Sequence, residues 1–158
     1  MRQNRQAFTL IEIAISVFIL LLILMMGVPS MSGLMADRRL RRSLDDMNRL
    51  VRQAQERSVS ERRPYLIAWQ KDEIILRPEG LVKGESGEPV AQLKLHRGDA
   101  FVLELPAALI HEPPAEWIFW PTGTCEPARV KFKGVDGAWV ANYSPLTARA
   151  DLASYAAK

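Results

Sequence analysis

An almost unbroken apolar run near the N-terminus constrains the fold of this chain more than any other feature. Residues 8–28 read FTLIEIAISVFILLLILMMGV, and Glu12 is the only charged residue among them. A helix needs about 20 apolar residues to cross the ~30 Å hydrocarbon layer of a bilayer. The apolar core of a cleaved secretory signal is shorter, about 7–15 residues, although residues 25–32 (MMGVPSMS) leave a signal-peptide cut as an alternative. We therefore predict a transmembrane helix over residues 8–28.

The segment that follows is predicted to continue as an amphipathic helix over residues 29–63. Its apolar positions recur every three or four residues and so share one helix face; they are Leu40, Leu44, Met47, Val51 and Ala54. Arginine and acidic residues fill the other faces, where Asp37 and Asp46 stand at pairing distance from arginines along the helix. Pro64 ends the run, and Pro29 predicts a bend between the two helical segments.

Beyond Pro64 the pattern changes to the period of two that is typical of strands. Short β-rich segments alternate with turns that are rich in glycine, proline or aspartate. We predict strands at 65–70, 73–77, 90–96, 100–105, 117–120, 129–133 and 138–143, the last being the final strand. Short strands joined by tight turns indicate antiparallel sheets. The predicted fold class is α+β, with a long N-terminal helix packed on antiparallel β-sheets and a β domain over residues 64–158.

The composition leaves little material for catalysis. Of the 158 residues, 48% are hydrophobic and 25% are charged, which is ordinary for a folded protein. The only cysteine, Cys125, excludes an intrachain disulfide, and two histidines are too few for a histidine metal cluster. A nucleophilic pair of Cys125 with His96 or His111 stays as an alternative, although these residues are distant in sequence. We predict that the chain is not an enzyme and needs no cofactor.

The charged residues give no clear indication of bound calcium or nucleic acid either. Four acidic residues offer a calcium site as an alternative, but they lack the every-second-residue spacing of known calcium loops; they are Asp72, Glu79, Glu85 and Glu88. The net charge is +3, and without Arg2 and Arg5 it is nearly zero. The overall charge therefore does not indicate a nucleic-acid-binding surface.

The charge inside the apolar run is the sharpest signal in the sequence. A basic leader, MRQNRQA, ends in the small residue Ala7 and is followed by Phe8 and then by Thr-Leu-Ile-Glu. A carboxylate costs about 2.5–3.5 kcal/mol at the centre of a membrane helix and less near the interface, so such a charge usually has a partner and a function. The alternative interpretation is that Glu12 only marks the membrane boundary.

The junction Ala7-Phe8-Thr9-Leu10-Ile11-Glu12 resembles the N-terminal signal of type IV pilins and of the pseudopilins of type II secretion. The resemblance implies that a prepilin peptidase removes the leader, residues 1–7, by cutting between Ala7 and Phe8, and that Phe8 is then N-methylated. It also implies that Glu12 is the family's assembly glutamate and that Pro29 is its helix-softening proline. The family usually has glycine where this chain has Ala7.

The C-terminal region is similar to one branch of that family, the GspH/FimT-like minor pseudopilins. The similar segments are an apolar strand with a Pro-x-Gly turn at 117–123 and two closing strands at 129–132 and 139–143. The segment Leu-Thr-Ala-Arg at 146–149 resembles the branch's terminal Thr-Gly-Arg element, with Ala148 in place of the glycine. Glu12 argues against the tip pseudopilin that lacks this acid.

The resemblance implies a structural subunit near the tip of a short periplasmic filament in type II secretion, with other pilin-like subunits as partners. It places the chain in the bacterial inner membrane as a single-pass protein with a periplasmic C-terminal domain. The count of arginines beside the span does not favour that orientation.

Two alternatives stand beside this interpretation. One is a FimT-like minor pilin of a type IV pilus, acting in assembly or DNA uptake, in which four basic residues would contact nucleic acid; they are Arg129, Lys131, Lys133 and Arg149. The other is a membrane-tethered periplasmic enzyme, against which the lack of a plausible catalytic set argues.

Overall fold

The computed structural model of the protein describes residues 9–27, 30–82, 84–106 and 116–157, without the side chains of 26, 27 and 30–32. The chain divides into two compact units, Met1–Met35 and Ala36–Lys158. Several predictions fall outside the described residues: the leader at 1–7, the methylation site Phe8, the bend at Pro29 and the loop residue His111.

The first unit contains helix α1, Leu10–Gly27, which has the apolar composition that the sequence predicts. Thr9 caps its N-terminus, because the Glu12 amide donates to the Thr9 carbonyl at 3.0 Å and to the Thr9 Oγ1 at 3.4 Å. A threonine that accepts from the amide three residues later is the usual N-cap arrangement. Among the described residues, no helix reaches the length and apolarity that a membrane crossing requires.

The second helix, α2, covers Ser30–Ser60. From Ala36 onward it belongs to the second unit, and its predicted apolar stripe is confirmed there. Of the stripe, Leu40, Met47, Val51 and Ala54 are at most 1% exposed, and Leu44 packs against them while partly buried. Charged side chains fill the opposite faces, so α2 is amphipathic as expected.

Helix α2 ends three residues before the predicted limit at residue 63. The Glu61 amide still donates to the Arg57 carbonyl at 2.9 Å, and Arg62 then adopts a positive φ of 52°. A left-handed residue commonly ends a helix, and the residue before a proline avoids helical geometry. The pair Arg62 and Arg63, ahead of Pro64, therefore stops the helix before the proline itself is reached.

In the described part of the chain after α2, eight strands form two four-stranded antiparallel sheets. They are β1 (Tyr65–Trp69), β2 (Glu73–Pro78), β3 (Ala91–Lys94), β4 (Ala100–Glu104), β5 (Glu116–Phe119), β6 (Ala128–Gly134), β7 (Gly137–Tyr143) and β8 (Ala150–Ala157). The first sheet has the order β3-β2-β1-β5, and the second has the order β4-β6-β7-β8. Each of the seven predicted strands is present, with ends that differ by one or two residues.

Strand β8 corrects the prediction that 138–143 is the final strand. Its sequence, ADLASYAA, contains four alanines and lacks the β-branched residues that mark a strand. It becomes a strand because β7 offers a paired edge, from Tyr143 opposite Ala150 to Gly137 opposite Ala157, with an irregularity at Val140/Ala141. Because the residues of β8 carry little strand propensity of their own, the sequence alone gives no clear signal for this strand.

One core joins α2 to the inner faces of both sheets. Trp117 and Trp139 are fully buried within it, together with Tyr65, Phe119 and Val130. The indole donors of these two tryptophans are satisfied from nearby: the Trp139 Nε1 donates to the Ser43 Oγ and the Trp117 Nε1 to the Glu126 carbonyl, both at 2.8 Å. Burying these two indole rings therefore leaves neither N–H group without a hydrogen-bond partner.

Candidate assembly surface

Helix α1 exposes apolar side chains over its whole circumference. Every described side chain from Leu10 to Met25 is exposed, and Leu10, Phe18 and Met25 are each more than 60% exposed. A helix that is apolar on all faces is normally buried on all faces, in lipid or among other helices. Exposed apolar surface of this extent marks an interaction surface. We call α1 with its capping residue Thr9 the helical assembly surface.

Glu12 is the one ionisable group on the helical assembly surface. It lies in the first turn of α1 with an exposed side chain. Its backbone is engaged, since its amide is capped by Thr9 and its carbonyl accepts from the Ser16 Oγ at 2.7 Å. Its carboxylate has no hydrogen bond or ion pair to any residue of 9–27 or of the other described segments.

The role of Thr9 is one that the sequence prediction missed. A threonine followed three residues later by a glutamate, just ahead of an apolar run, is the sequence signature of a helix N-terminus. Thr9 and Glu12 have this spacing, and the Thr9 half of the arrangement is present. The signature was therefore available in the sequence. The predicted processing residues Ala7 and Phe8, and the assembly residue Pro29, lie outside the described residues.

Three of the seven arginines of α2 pair with a carboxylate three or four residues away, as their spacing indicates; they are Arg41, Arg49 and Arg57. Arg41 donates to Asp37 and Arg49 to Asp46, both at 2.8 Å. The pKa of Asp37 is lowered, first by the hydrogen bond from the Tyr155 hydroxyl of β8 and then by Arg41. Exposed pairs of this kind add little to the stability of the fold, because solvent screens them.

Cys125 is a buried structural thiol. It is 2% exposed, bridges in antiparallel fashion to Phe119, and its Sγ lies 3.6 Å from the Ser144 carbonyl. Burial raises the pKa of the thiol to about 11. A nucleophilic cysteine requires the opposite, a lowered pKa and access to solvent. His96, the described one of the two histidines, is nine-tenths exposed and lies beside Asp99.

Among the acidic residues weighed for calcium, Glu85 is engaged in other contacts. The carboxylate of Glu85 accepts from the Arg63 guanidinium at 2.7 Å and from the Val82 amide at 2.9 Å, and Arg63 lowers its pKa. Arg63 also donates to Glu61, which ties the end of α2 to the loop after β2. Across the described segments, no group of three or more histidine, cysteine or acidic side chains is placed to hold a metal ion.

The basic row that would contact nucleic acid lies on strand β6. Arg129, Lys131 and Lys133 alternate with the buried Ala128, Val130 and Phe132, so they share the outer face of the second sheet. Two of the three are engaged within that sheet: Arg129 donates to the Asn142 Oδ1 at 2.8 Å, and Lys131 pairs with Glu104. Arg149 precedes β8 and is exposed. The basic row is therefore present on β6, and its positive charge is partly neutralised by the pairing of Lys131 with Glu104.

The N-terminal region matches a known family. The family described as "Prokaryotic N-terminal methylation motif" covers residues 2–28. That range includes the predicted leader, the processing junction and Glu12. No curated protein sequence matches the chain.

Solved structures resemble about three quarters of the chain. The type IV minor pilin FimU of Pseudomonas aeruginosa (strain PAO1) is 17% identical with a TM-score of 0.54, over 75% of this chain and 90% of that chain. The minor pseudopilin EpsH of the type 2 secretion system of Vibrio cholerae is 12% identical with a TM-score of 0.51, over 72% and 95%. At these identities the likeness shows the fold. The chain therefore has the α+β, pilin-like fold that its sequence predicts, with a prepilin-type methylation motif at its N-terminus.

Proposed function

We propose that this chain is a minor pseudopilin, a non-enzymatic subunit near the tip of a short periplasmic filament in type II secretion. In this proposal a prepilin peptidase cuts between Ala7 and Phe8, Phe8 is N-methylated, and residues 8–28 anchor the chain in the inner membrane with the C-terminal domain in the periplasm. The observation that carries the proposal is the pairing of a methylation motif at 2–28 with a pilin-like fold in one chain.

The helical assembly surface supports a role in a filament. An α1 whose side chains are apolar on every face suits lipid before assembly and a bundle of like helices afterwards. Both environments cover the same surface, so a subunit can pass from one to the other without exposing α1 to water. The motif and the fold give no reason to invoke a catalytic step.

Glu12 supplies the specificity that apolar packing lacks. A lone carboxylate in an apolar bundle is costly, and a positive partner offsets that cost. The cut before Phe8 creates such a partner, the new α-amino group. Since the Glu12 side chain points out from α1 and has no described partner in its own chain, we propose that it pairs with the amine of a neighbouring subunit. Charge pairing would set the axial register between subunits, and Pro29 would let the helix bend as they pack.

A minor pilin of a type IV pilus is the second candidate, and two observations favour it. FimU, which has the higher TM-score of the two proteins compared, is a type IV minor pilin. The basic row on β6 also offers phosphate contacts, which would serve DNA uptake. Filter binding of the soluble domain to DNA at two salt concentrations separates the candidates, because phosphate contacts weaken steeply with salt. We expect no salt-sensitive binding if the chain is a pseudopilin.

Co-purification tests the proposed function itself. The chain, extracted from membranes of its own host after mild crosslinking, should carry other pilin-like subunits with it. Identification of those subunits by mass spectrometry also decides between the two systems, since each has its own set. Recovery of the chain alone, or only with soluble enzymes, would overturn the proposal.

A further inference from the structure

A cleft of about 410 Å³ opens at one end of the second unit. One wall is the part of α2 around Arg39 and Arg42, and the other is formed by the β3–β4 and β6–β7 connections. Its volume is in the range of about 300–1,000 Å³ that ligand-binding clefts occupy. The cleft lies entirely within residues 36–158, so it needs no contribution from α1.

The floor of the cleft is apolar. Leu40 and Phe132 are buried there, and Leu93 and Phe101 are half-buried beside them. Phe101 packs on Phe132 with their ring centroids 4.8 Å apart. An apolar floor under a polar rim is the usual construction of a recognition site, because the floor gives affinity and the rim gives orientation. The occupant therefore needs an apolar group.

The rim carries an excess of positive charge once its ion pairs are counted. Two of the three rim carboxylates already pair with an arginine: Asp136 has Arg39 at 3.4 Å and Asp46 has Arg49 at 2.8 Å, while Asp99 lies 3.7 Å from the imidazole of His96. Three further rim cations form no ion pair within the described part of the chain; they are Arg42, Lys94 and Arg97. The charge that complements this rim is negative.

We propose that the cleft receives a peptide segment of a neighbouring pilin-like subunit, one in which a carboxylate side chain stands beside an apolar side chain. The apolar side chain would cover Leu93 and Phe101, and the carboxylate would meet Arg42 and Arg97. Unpaired arginines at a rim recognise carboxylates well, because the guanidinium fork matches the two carboxylate oxygens. This inference rests on the proposed function, since it takes its partner from the filament. It adds a contact made by the second unit, separate from α1.

Photo-crosslinking from the cleft tests the inference in the intact chain in host membranes. A photo-reactive amino acid replaces Val135, which lines the cleft and is 71% exposed. We expect a crosslink to an acidic segment of a pilin-like subunit. The double variant Arg42→Glu/Arg97→Glu should reduce its yield by at least about tenfold, because reversed rim charges repel the carboxylate and slow its capture.

The matched control is Arg52→Glu/Lys71→Glu, which makes the same charge change at two exposed residues away from the cleft that also have no ion pair among the described residues. It should keep the crosslink, and the thermal unfolding of both variants should match the parent. Equal loss in the two variants, or a crosslink to lipid alone, overturns the inference. A missing crosslink while pilin-like subunits still co-purify overturns the cleft contact only. If those subunits are absent as well, the proposed function falls with it.

Discussion

At the scale of single residues, Arg62 and Ala148 adopt a backbone geometry that their side chains disfavour. Their φ values are 52° and 51°, in the left-handed region that glycine tolerates best. The resemblance to the GspH/FimT-like branch implies that Ala148 replaces a glycine, and a positive φ is the geometry that would favour glycine at this position. Arg62 is exposed and follows the end of α2, so a substitution there can relieve the backbone strain without loss of core packing.

Replacing Arg62 with glycine should stabilise the second unit. The variant Arg62→Gly is expected to raise the free energy of unfolding by about 1 kcal/mol, since the left-handed conformation costs a non-glycine residue about that much. The control Arg52→Gly, in the exposed interior of α2, should lower it by about 1 kcal/mol. Urea unfolding of a fragment that begins at residue 36 measures both. Changes of the same sign would contradict the role assigned to Arg62.

Cys125 gives a prediction that depends on pH. Because burial raises the pKa of its thiol to about 11 from the usual 9.0, the folded protein holds the proton more tightly than the unfolded chain. Two pKa units mean about a hundredfold less thiolate at pH 8, so iodoacetamide should alkylate the folded chain at least about a hundredfold more slowly than the chain in urea. Stability should fall as the pH rises from about 9 to about 11. Equal alkylation rates in the folded and unfolded states would show that the thiol is accessible.

At the scale of elements, the stripe that holds α2 in place is buried, whereas other residues of the same helix are exposed. Val51 is 1% exposed and Val59, eight residues later on the same helix, is 48% exposed. The period of the stripe was readable from the sequence because helical geometry repeats locally. The end of the helix could not be read from the sequence, because it depends on a left-handed conformation of Arg62 that the residue preferences do not predict.

The substitution Val51→Ala should cost about 2 kcal/mol of the free energy of unfolding, since it removes two buried methyl groups and leaves a cavity. Val59→Ala makes the same chemical change on the exposed side and should cost less than about 0.5 kcal/mol. Urea unfolding of the fragment that begins at residue 36 compares the two. Similar costs would mean that the stripe does not face the sheets.

The strands were predictable where their own residues have a high strand propensity. Strands β1 and β2 form a hairpin whose turn, Lys71-Asp72, the sequence marks plainly. Strand β8 was missed because its alanine-rich sequence has a low strand propensity. Its pairing with β7, the packing of Ala150 and Tyr155 on the core and the hydrogen bond from Tyr155 to Asp37, at 2.6 Å, hold it in place. The contact with Asp37 spans 118 positions of the chain, and propensity does not report a contact of that kind.

At the scale of the whole molecule, the structure divides at Ala36, whereas the hydropathy of the sequence predicted boundaries after residues 28 and 63. The apolar run and the charge within it were readable because each is a local property. The cleft could not be predicted from the sequence, since Arg42, Arg97 and Val135 come from three separate segments. The division at Ala36 also assigns most of α2 to the sheet-bearing unit, where the stripe is buried.

Truncation tests that division. Removing residues 1–35 should leave a folded, soluble fragment, because the stripe of α2 still covers the sheets. Removing residues 1–64 should expose the apolar inner faces and cause aggregation, since that surface is stabilised by burial at roughly 25 cal/mol per Å². Size-exclusion chromatography with circular dichroism compares the fragments. If both are equally soluble and folded, α2 does not contribute to the core.

Processing is the premise on which assembly depends. The mature chain should begin with N-methyl-Phe8 and contain 151 residues, because the first seven are removed. Intact mass of the protein extracted from membranes measures this. A mature start anywhere from residue 25 to 32 would instead indicate a secreted protein released by a signal peptidase.

The most direct test of the account is assembly of a Glu12 variant, scored beside its cleavage. Glu12→Leu should insert and be cleaved like the parent but crosslink poorly to other pilin-like subunits, because the register-setting charge is gone, and Glu12→Asp should retain part of the crosslinking. Quantitative crosslinking in host membranes, with intact mass as the cleavage control, gives both readings. If Glu12→Leu is cleaved and assembles as well as the parent, Glu12 only marks the membrane boundary and the proposed pairing between subunits is wrong.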